Sequence, residues 1–398
     1  MSRSDTFTRW AVVSSGEGGG RVTADFFART ENPGIDDRMI LLNTNRADIR
    51  NTIEGSNVPE TLAEKAVMFG SKRGVGNSFV DGRQCAQEDI DDIVSQIEND
   101  AGNADAFLYL TTLGGGTGNG SIPYLVNQFG DPTDIDDQRA WMRDGVHITF
   151  GIWPYYNEAI QQQFNAVCGL SRLLCREDNS QNADMVLLAA NSHIEGDDTV
   201  GGSGEYELVN ERIVEAVDLL ISAGRETQRV IDVEDYVAQP SNISGYHFTP
   251  AVTTDENYQI RSLEHMFDRA SEATYVPMDV ETCRAAYAIV RAPEHLVGDE
   301  LTTNDVKQAF DSWKRKHGLT GTVGMETLTP KRATGNGVDV LLLLGGFDLN
   351  PLVDHAWDQY ESHRENLAAG RRLGNERIPK GELDTIEENL RQYMKVNE

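Results

Sequence analysis

Leu113-Gly114-Gly115-Gly116-Thr117-Gly118-Asn119-Gly120-Ser121 lies between an apolar run, Ala106–Thr112, and a helix-prone stretch, Ile122–Phe129. Five glycines in seven positions disfavour the start of a helix, so their presence suggests that a ligand lies directly against the backbone. Consecutive backbone N–H groups form an anion-binding nest, and the hydroxyls of Thr117 and Ser121 add donors. The segment therefore predicts a phosphate site at a junction between a strand and a helix.

Apolar runs of the same kind recur through the first half of the chain. They are Trp10–Ser14, Met39–Asn43, Ala106–Thr112, Val146–Trp153 and Met185–Ala190. Most of them lack the alternation of apolar and polar residues that is typical of a sheet with one solvent-exposed face. The runs are separated by four helical stretches: Val22–Thr30, Gln87–Glu98, Ile122–Phe129 and Ala159–Leu174. This order predicts an α/β fold with a parallel sheet covered on both faces. In such a sheet, ligands bind at the carboxyl ends of the strands, where the glycines lie.

The second half of the chain begins with a long helical pattern from Glu205 to about Gly224. The segment Gln239–Ser244 breaks the helical pattern, and two more buried strands are predicted at Ala286–Arg291 and Val338–Leu344. The helix Asp305–Lys316 lies between these strands. We expect a second, smaller α/β unit here, followed by a charged helical extension.

The composition limits the possible partners and the compartment. The 398 residues carry a formal net charge of −29, which disfavours binding to nucleic acid or to an anionic membrane surface. Only 8 of the 35 basic residues are Lys, which favours a high-salt cytoplasm over an ordinary acidic cytosolic protein. The chain has no apolar run of about 18 residues and no secretory leader, and its four cysteines are scattered. These features predict a soluble cytoplasmic protein with reduced thiols and no membrane insertion.

A second glycine cluster, Gly16-Glu17-Gly18-Gly19-Gly20, follows the first predicted strand and precedes a helix that is expected to start near Arg21. Taken alone, this turn also suits sites for NAD, FAD or S-adenosylmethionine. The chain contains no G-x-x-x-x-G-K-[ST] motif. Backbone dipoles, hydroxyl groups and a metal ion would therefore hold a phosphate at the segment Leu113–Ser121, without a P-loop lysine.

The GGGTG-x-G motif after a strand resembles the signature of the tubulin/FtsZ superfamily, and the chain looks most similar to its CetZ group, the tubulin-like proteins of haloarchaea. The resemblance implies a GTP-binding domain over residues 1–204, then a core helix with an acidic loop over 205–238. A C-terminal α/β domain over 239–350 and a helical extension over 351–398 complete the expected organisation. It also implies binding of GTP or GDP with Mg²⁺, held mainly by phosphate and water, and head-to-tail stacking of subunits.

The resemblance assigns nucleotide-binding roles to residues at matching positions. The phosphates would contact Gly16, Glu17, Gly18, Gly19, Asn43, Gly74, Gly76, Asn77, Gly114, Gly115, Gly116, Thr117, Gly118, Asn119 and Gly120. The ribose would contact Glu158, and the base would contact Asn191, Asn210 and the ring of Tyr206. The chain departs from the family where Glu17 replaces Gln, Asn45 replaces Asp with Asp48 as a substitute, and Gln162 replaces Arg.

The acidic stretch Val230–Tyr236 would ordinarily be a solvated loop in so acidic a protein. In the family, the matching acids enter the nucleotide site of the next subunit and polarise the attacking water. By this resemblance Asp232 and Asp235 are the catalytic residues, and Val230 replaces the family's Asn. Hydrolysis is then expected to be slow in the monomer and to increase on assembly.

Three functions remain open from the sequence. The first is a polymerising GTPase of a haloarchaeal cytoskeleton, acting in cell shape or motility and assembling with itself or with other tubulin-like proteins. The second is a nucleotide-binding regulatory or scaffold protein of the same fold that polymerises or hydrolyses poorly, as the departures at Glu17, Asn45 and Val230 suggest. The third is a dinucleotide-dependent oxidoreductase built on the Gly16–Gly20 turn. It leaves the glycine motif Gly114–Ser121 and the Tyr206/Asn210 pair unexplained, and it predicts an acid after the second strand, where Asn43-Thr44-Asn45 stands.

Overall fold

The computed structural model of the protein describes residues 8–29, 35, 37–70, 73–130, 140–196, 206–223, 233–242, 245–258, 262–369 and 378–394. The strands in these ranges are β1 Trp10–Ser15, β2 Met39–Asn43, β3 Ala66–Met68, β4 Ala106–Thr112, β5 Val146–Trp153, β6 Met185–Ala190, β7 His247–Asp255, β8 Ala285–Pro293, β9 Val323–Lys331 and β10 Val338–Gly345. The helices are α1 Gly16–Arg29, α2 Arg46–Glu54, α3 Pro59–Ala63, α4 Phe79–Glu88, α5 Ile90–Ala101, α6 Thr117–Phe129, α7 Ala140–Arg143, α8 Ile160–Leu174, α9 Asn191–Glu195, α10 Tyr206–Ser222, α11 Val233–Asn242, α12 Leu263–Ser271, α13 Thr303–Lys316, α14 Asn350–Ala368 and α15 Lys380–Arg391.

The strands form one sheet in the order β3-β2-β1-β4-β5-β6-β7-β10-β8-β9. Neighbouring strands from β3 to β7 are parallel, β10 is antiparallel to both β7 and β8, and β9 is parallel to β8. Since β10 alone among the described strands runs against the others, the carboxyl ends of β1, β2, β4, β5 and β6 meet at one edge. The fold is the mixed α/β architecture with a mostly parallel sheet that the sequence predicts.

Both faces of the sheet are buried. Successive residues of β1 enter opposite apolar clusters, with Val13 on one face and Val12 on the other. The cluster that contains Val12 also holds Phe26 of α1 and the apolar stripe of α10, whereas helices α4 to α6, α8 and α12 to α15 pack into the cluster of Val13. The continuous apolar runs of the strands are explained by this double coverage. No helix in the described ranges combines the length and the apolar content needed to span a bilayer.

The predicted strands and helices are found with a few corrections. Helix α1 begins at Gly16, so the predicted start near Arg21 is too late. The predicted helix Gln87–Glu98 is two helices, α4 and α5. The predicted break at Gln239–Ser244 begins too early, because α11 continues to Asn242 through Pro240. Strands β3, β7 and β9 are not predicted from the sequence.

Candidate functional site

The two glycine clusters lie against each other at the carboxyl ends of β1 and β4. Gly16 has a φ of +81°, a conformation that glycine adopts without strain, and it turns the chain from β1 into α1. A side chain at Gly118 in the first turn of α6 would overlap the carbonyl oxygen of Ser15. The hydroxyls of Ser15 and Ser121 are 2.7 Å apart and link the two elements. Two helix N-termini, each a source of positive potential, therefore converge at one place.

A cleft of about 560 Å³ opens at this place. Most of the predicted site residues line it: Gly16, Glu17, Gly18, Gly74, Gly76, Asn77, Gly114, Gly115, Gly116, Thr117, Gly118, Glu158, Asn191, Tyr206 and Asn210. These residues come from segments spread over almost two hundred positions, and the parallel sheet brings them to one edge. A cleft at this edge is where an α/β sheet places its ligand.

Four of the predicted nucleotide-binding residues, Gly19, Asn43, Asn119 and Gly120, do not line the cleft and instead shape its walls. Side chains at Gly19 and Gly120 would overlap backbone oxygens of neighbouring elements, Leu110 in the first case and Phe79 in the second. The amide nitrogen of buried Asn119 donates to the carbonyl oxygens of Leu113 and Asn165, in the latter case over 2.7 Å. The side-chain oxygen of Asn43 accepts a hydrogen bond of 3.0 Å from the backbone N–H of Asn45.

Hydrogen bonds join the loops at the glycine end of the cleft. The hydroxyls of Thr44 and Thr117 are 2.7 Å apart, and the backbone N–H of Gly74 donates to the carbonyl oxygen of Thr44 over 2.9 Å. The amide nitrogen of Asn165 donates to the carbonyl oxygens of Asn77 at 2.8 Å and Gly114 at 3.0 Å. The N-cap of α6 is Gly116, which has no side chain to occupy the first N–H groups of the helix. This end of the cleft can bind an anion through backbone donors.

The charged groups of the cleft include an ion pair that the sequence analysis missed. Glu17, whose negative charge would repel a phosphate, lies 2.5 Å from the guanidinium of Arg21 one helical turn later. Burial raises the pKa of the Asp48 carboxyl above its ordinary value, the negative charge of Glu17 raises it further, and a hydrogen bond from Asn45 opposes both. Arg73, also missed, lines the cleft beside Gly74. The i, i+4 spacing of Glu17 and Arg21 was the signal that could have revealed the pair.

The opposite end of the cleft carries an unsatisfied acceptor and aromatic rings. Asn191 is 5% exposed, and its side-chain oxygen has no hydrogen-bond partner in the part of the chain that the structure describes. Tyr206 is 44% exposed and meets the ring of Tyr155 edge to face, with centroids 5.4 Å apart. The amide nitrogen of Asn210 donates to the carboxylate of Asp25 over 3.2 Å. An orphaned buried acceptor is costly, so this end suits a flat ligand that brings an N–H donor.

Glu158 lies between the two ends and is held by its neighbours. Its carboxylate accepts a hydrogen bond of 3.0 Å from the backbone N–H of Tyr155 and another from the side chain of Gln162. Burial raises the pKa of this carboxyl, and the two hydrogen bonds act in the opposite direction. Gln162 stands where the resemblance implies an Arg. It therefore orients Glu158, the residue predicted to contact the ribose, without adding a charge.

The acidic segment after α10 is described only in part. Asp232 lies outside the described residues, whereas Asp235 is in the first turn of α11. Asp235 is not among the residues that line the cleft. The next residue, Tyr236, is 1% exposed and packs against Tyr287 with ring centroids 5.9 Å apart, which fixes this turn of α11 to the sheet.

Comparison with known proteins agrees with this geometry. Residues 10–196 match the family described as Tubulin/FtsZ family, GTPase domain. The tubulin-like protein CetZ1 of Haloferax volcanii is 28% identical over 242 residues, which are 58% of this chain and 55% of CetZ1. CetZ2 of the same organism is 26% identical over 55% of each protein. The aligned segment thus spans about half the length of these curated relatives.

Solved structures extend the similarity over nearly the whole chain. The GDP-bound monomer of CetZ1 from Haloferax volcanii has a TM-score of 0.72 at 20% identity and covers 89% of this chain and 99% of its own. The GTPγS-bound protofilament of CetZ2 has a TM-score of 0.70 at 22% identity with the same coverage. At these identities the solved structures establish the fold alone. Residues 10–196 of this chain are therefore similar to the tubulin/FtsZ GTPase domain, and the chain has the fold of the tubulin-like CetZ proteins.

Proposed function

We propose that this protein binds GTP in the cleft, hydrolyses it to GDP and phosphate, and polymerises head to tail. The observation that carries the proposal is the convergence of two glycine-rich helix N-termini on one cleft that has an unsatisfied amide acceptor at its other end. The glycine end provides backbone donors for phosphates. At the other end, the oxygen of Asn191 can accept from the N–H groups on the edge of guanine, and Tyr206 can stack on the base. The similarity to CetZ2, solved as a GTPγS-bound protofilament, supports both the nucleotide and the assembly.

The cleft also fits Mg²⁺ bound mainly through the nucleotide. No group of three or more metal-ligating side chains exists in the described ranges, so an all-protein cage is absent from them. Mg²⁺ usually keeps several waters and takes one or two carboxylates besides the phosphates, and Glu17 and Asp48 line the glycine end of the cleft. The bound ion would neutralise phosphate charge, while Thr44 and Thr117 hold their loops in place.

Hydrolysis requires a group that orients water, and we assign this role to Asp232 and Asp235 of a neighbouring subunit. Asp235 does not line the cleft of its own chain, which agrees with a site that two subunits complete. We retain the proposed division into a GTP-binding domain at 1–204, the core helix with its acidic loop at 205–238, a C-terminal domain at 239–350 and a helical extension at 351–398. The acidic, lysine-poor composition supports action in the cytoplasm of a haloarchaeon. A role there in control of cell shape or motility is part of this proposal.

The decisive experiment measures phosphate release and light scattering in molar KCl with Mg²⁺, over a range of protein concentrations, with GTP, GDP and ATP. We expect GTP alone to raise scattering and the release rate per subunit to rise with protein concentration. Asp235→Ala should bind GTP and assemble but hydrolyse at least about 100-fold more slowly, since positioned acid–base groups contribute on the order of 100- to 10,000-fold. Glu234→Ala, a loss of charge at the exposed neighbouring position, is the matched control and should stay within about twofold of the wild type.

The same experiment separates the second candidate function, a regulatory or scaffold protein with weak turnover. GTP binding without any scattering response at any protein concentration would refute polymerisation and leave the regulatory function. A release rate per subunit that is independent of protein concentration would refute completion of the site between subunits. The ion pair of Glu17 with Arg21 favours the first function, because the repulsion expected from Glu17 is compensated inside the chain.

A further inference from the structure

The cleft contains one cationic side chain whose charge no described residue balances. Among the residues that the structure describes, five charged side chains line it: the carboxylates Glu17, Asp48 and Glu158 and the guanidiniums Arg21 and Arg73. Arg21 forms an ion pair with Glu17, with a nitrogen–oxygen distance of 2.5 Å. The side chain of Arg73 is exposed and makes no hydrogen bond or ion pair with another residue in the described ranges.

The backbone places Arg73 beside the glycine end of the cleft. Arg73 and Asn45 form an isolated antiparallel bridge, and the next residue, Gly74, donates its N–H to the carbonyl oxygen of Thr44 over 2.9 Å. The hydroxyl of Thr44 is in turn 2.7 Å from that of Thr117, the first residue of α6. Two hydrogen bonds therefore tie the segment that carries Arg73 to the helix N-terminus that would bind phosphate.

We propose that Arg73 binds the terminal phosphate and makes the cleft prefer a nucleoside triphosphate to a diphosphate. This inference rests on the proposed function, in which GTP occupies the cleft. Backbone N–H groups are neutral, so they hold a phosphate by partial charges and geometry. A guanidinium adds a full charge and a planar pair of donors that matches two phosphate oxygens. Because a diphosphate lacks the phosphoryl group that Arg73 would bind, this contact strengthens GTP binding selectively.

The need for such a cation follows from the other charges of the cleft. Its described carboxylates outnumber its guanidiniums, and a triphosphate brings further negative charge. Without Arg73, the remaining cation among the described residues that line the cleft would be Arg21, which already neutralises Glu17. Loss of Arg73 therefore weakens binding of the more highly charged nucleotide first.

The test compares GTP and GDP affinities of the wild type, Arg73→Ala, Arg73→Lys and Arg50→Ala by isothermal titration calorimetry with Mg²⁺, below the protein concentration at which scattering appears. Arg50 is the matched control, because it lies on α2 outside the cleft, with its side chain 69% exposed. We expect Arg73→Ala to weaken GTP binding about tenfold, or about 1.4 kcal/mol. GDP binding should change by less than about twofold, Arg73→Lys should be intermediate, and Arg50→Ala should match the wild type.

Each other outcome overturns the inference in a distinguishable way. Equal weakening of GTP and GDP binding by Arg73→Ala would show that Arg73 does not read the terminal phosphate, and the proposed function would stand. Unchanged affinities with weaker assembly would place Arg73 in the contact between subunits instead. A wild-type protein that binds neither nucleotide would refute both the proposed function and this inference. Thermal unfolding of each variant without nucleotide confirms that the fold is intact.

Discussion

The C-terminal helix α15 is joined to α4 by an ion pair whose contribution to stability can be measured directly. The guanidinium of Arg83 donates to both carboxylate oxygens of Glu382, over 2.7 and 3.0 Å. The side chains are 21% and 15% exposed, so water screens the pair only partly. Burial alone would lower the pKa of Arg83, but the bonds and the charge of Glu382 raise it overall. The pair therefore holds an element from the end of the chain against the helix that follows the Gly74–Asn77 loop.

The expected magnitude follows from this geometry. Two charges about 4 Å apart attract by about 4 kcal/mol at an effective dielectric constant of about 20. Desolvation of both groups offsets part of that attraction, whereas an exposed pair retains only about 0.2–1 kcal/mol. For a bidentate pair at this burial we expect a coupling free energy of about 2 kcal/mol. Glu382→Gln alone should lower the free energy of unfolding by at least that amount, because Arg83 would remain mostly covered without its counter-ion.

The assay is a double-mutant cycle of urea unfolding with Arg83→Met, Glu382→Gln and the double variant. Arg50 and Glu54 provide the control cycle, since they are 3.7 Å apart with both side chains 69% exposed. The control coupling should be below about 0.5 kcal/mol. If the coupling of Arg83 with Glu382 is no larger than that of the control pair, α15 is not held by this ion pair and the reasoning from its burial is wrong.

Three further perturbations test the site and the core. The pKa of Asp48 is raised in the folded state, so the ionised carboxylate destabilises the native protein at neutral pH. Asp48→Asn should therefore raise the melting temperature at about pH 7. This increase in melting temperature should shrink as the pH falls towards about 4. Burial lowers the pKa of His247 to about 4. The free energy of unfolding should therefore fall by up to about 3 kcal/mol as the pH drops from about 6.5 to about 4. Urea titrations at each pH should show a weaker pH dependence of this free energy for His247→Gln. Gly118→Ala places a methyl group against the Ser15 carbonyl and should cost about 1–3 kcal/mol in urea unfolding and weaken GTP binding in calorimetry.

The strands of the first half could be predicted from the sequence because burial on both faces leaves a simple signal. Runs such as Met39–Asn43 and Val146–Trp153 coincide with β2 and β5. Strands β7, HFTPAVTTD, and β9, VGMETLTPK, carry threonines, charged residues and a proline, so they do not stand out as apolar runs. Pro250 in β7 can give no N–H to the sheet, and a proline ordinarily argues against an interior strand.

Some features of the site depend on which distant segments meet, and no local pattern contains that information. The sequence placed the glycine motifs at the carboxyl ends of strands, and the cleft lies there. The separation of wall residues such as Asn119 from lining residues such as Thr117 required the packing of α6 against α4 and α8. Arg73 lies in a short polar turn whose neighbours become informative only once the bridge to Asn45 is known.

The net charge of −29 is compatible with the proposed site for a polyanion, because repulsion by the whole protein and binding in the cleft act over different distances. Repulsion between a nucleotide and the protein as a whole is long-range, and molar salt screens charges beyond about 3 Å. Backbone donors of α1 and α6 act at hydrogen-bond distance, where such screening has little effect. Salt also weakens the repulsion between two acidic subunits. The proposed phosphate site, built on glycine backbone with few described cationic side chains, therefore suits the proposed binding of nucleotide and assembly at high ionic strength.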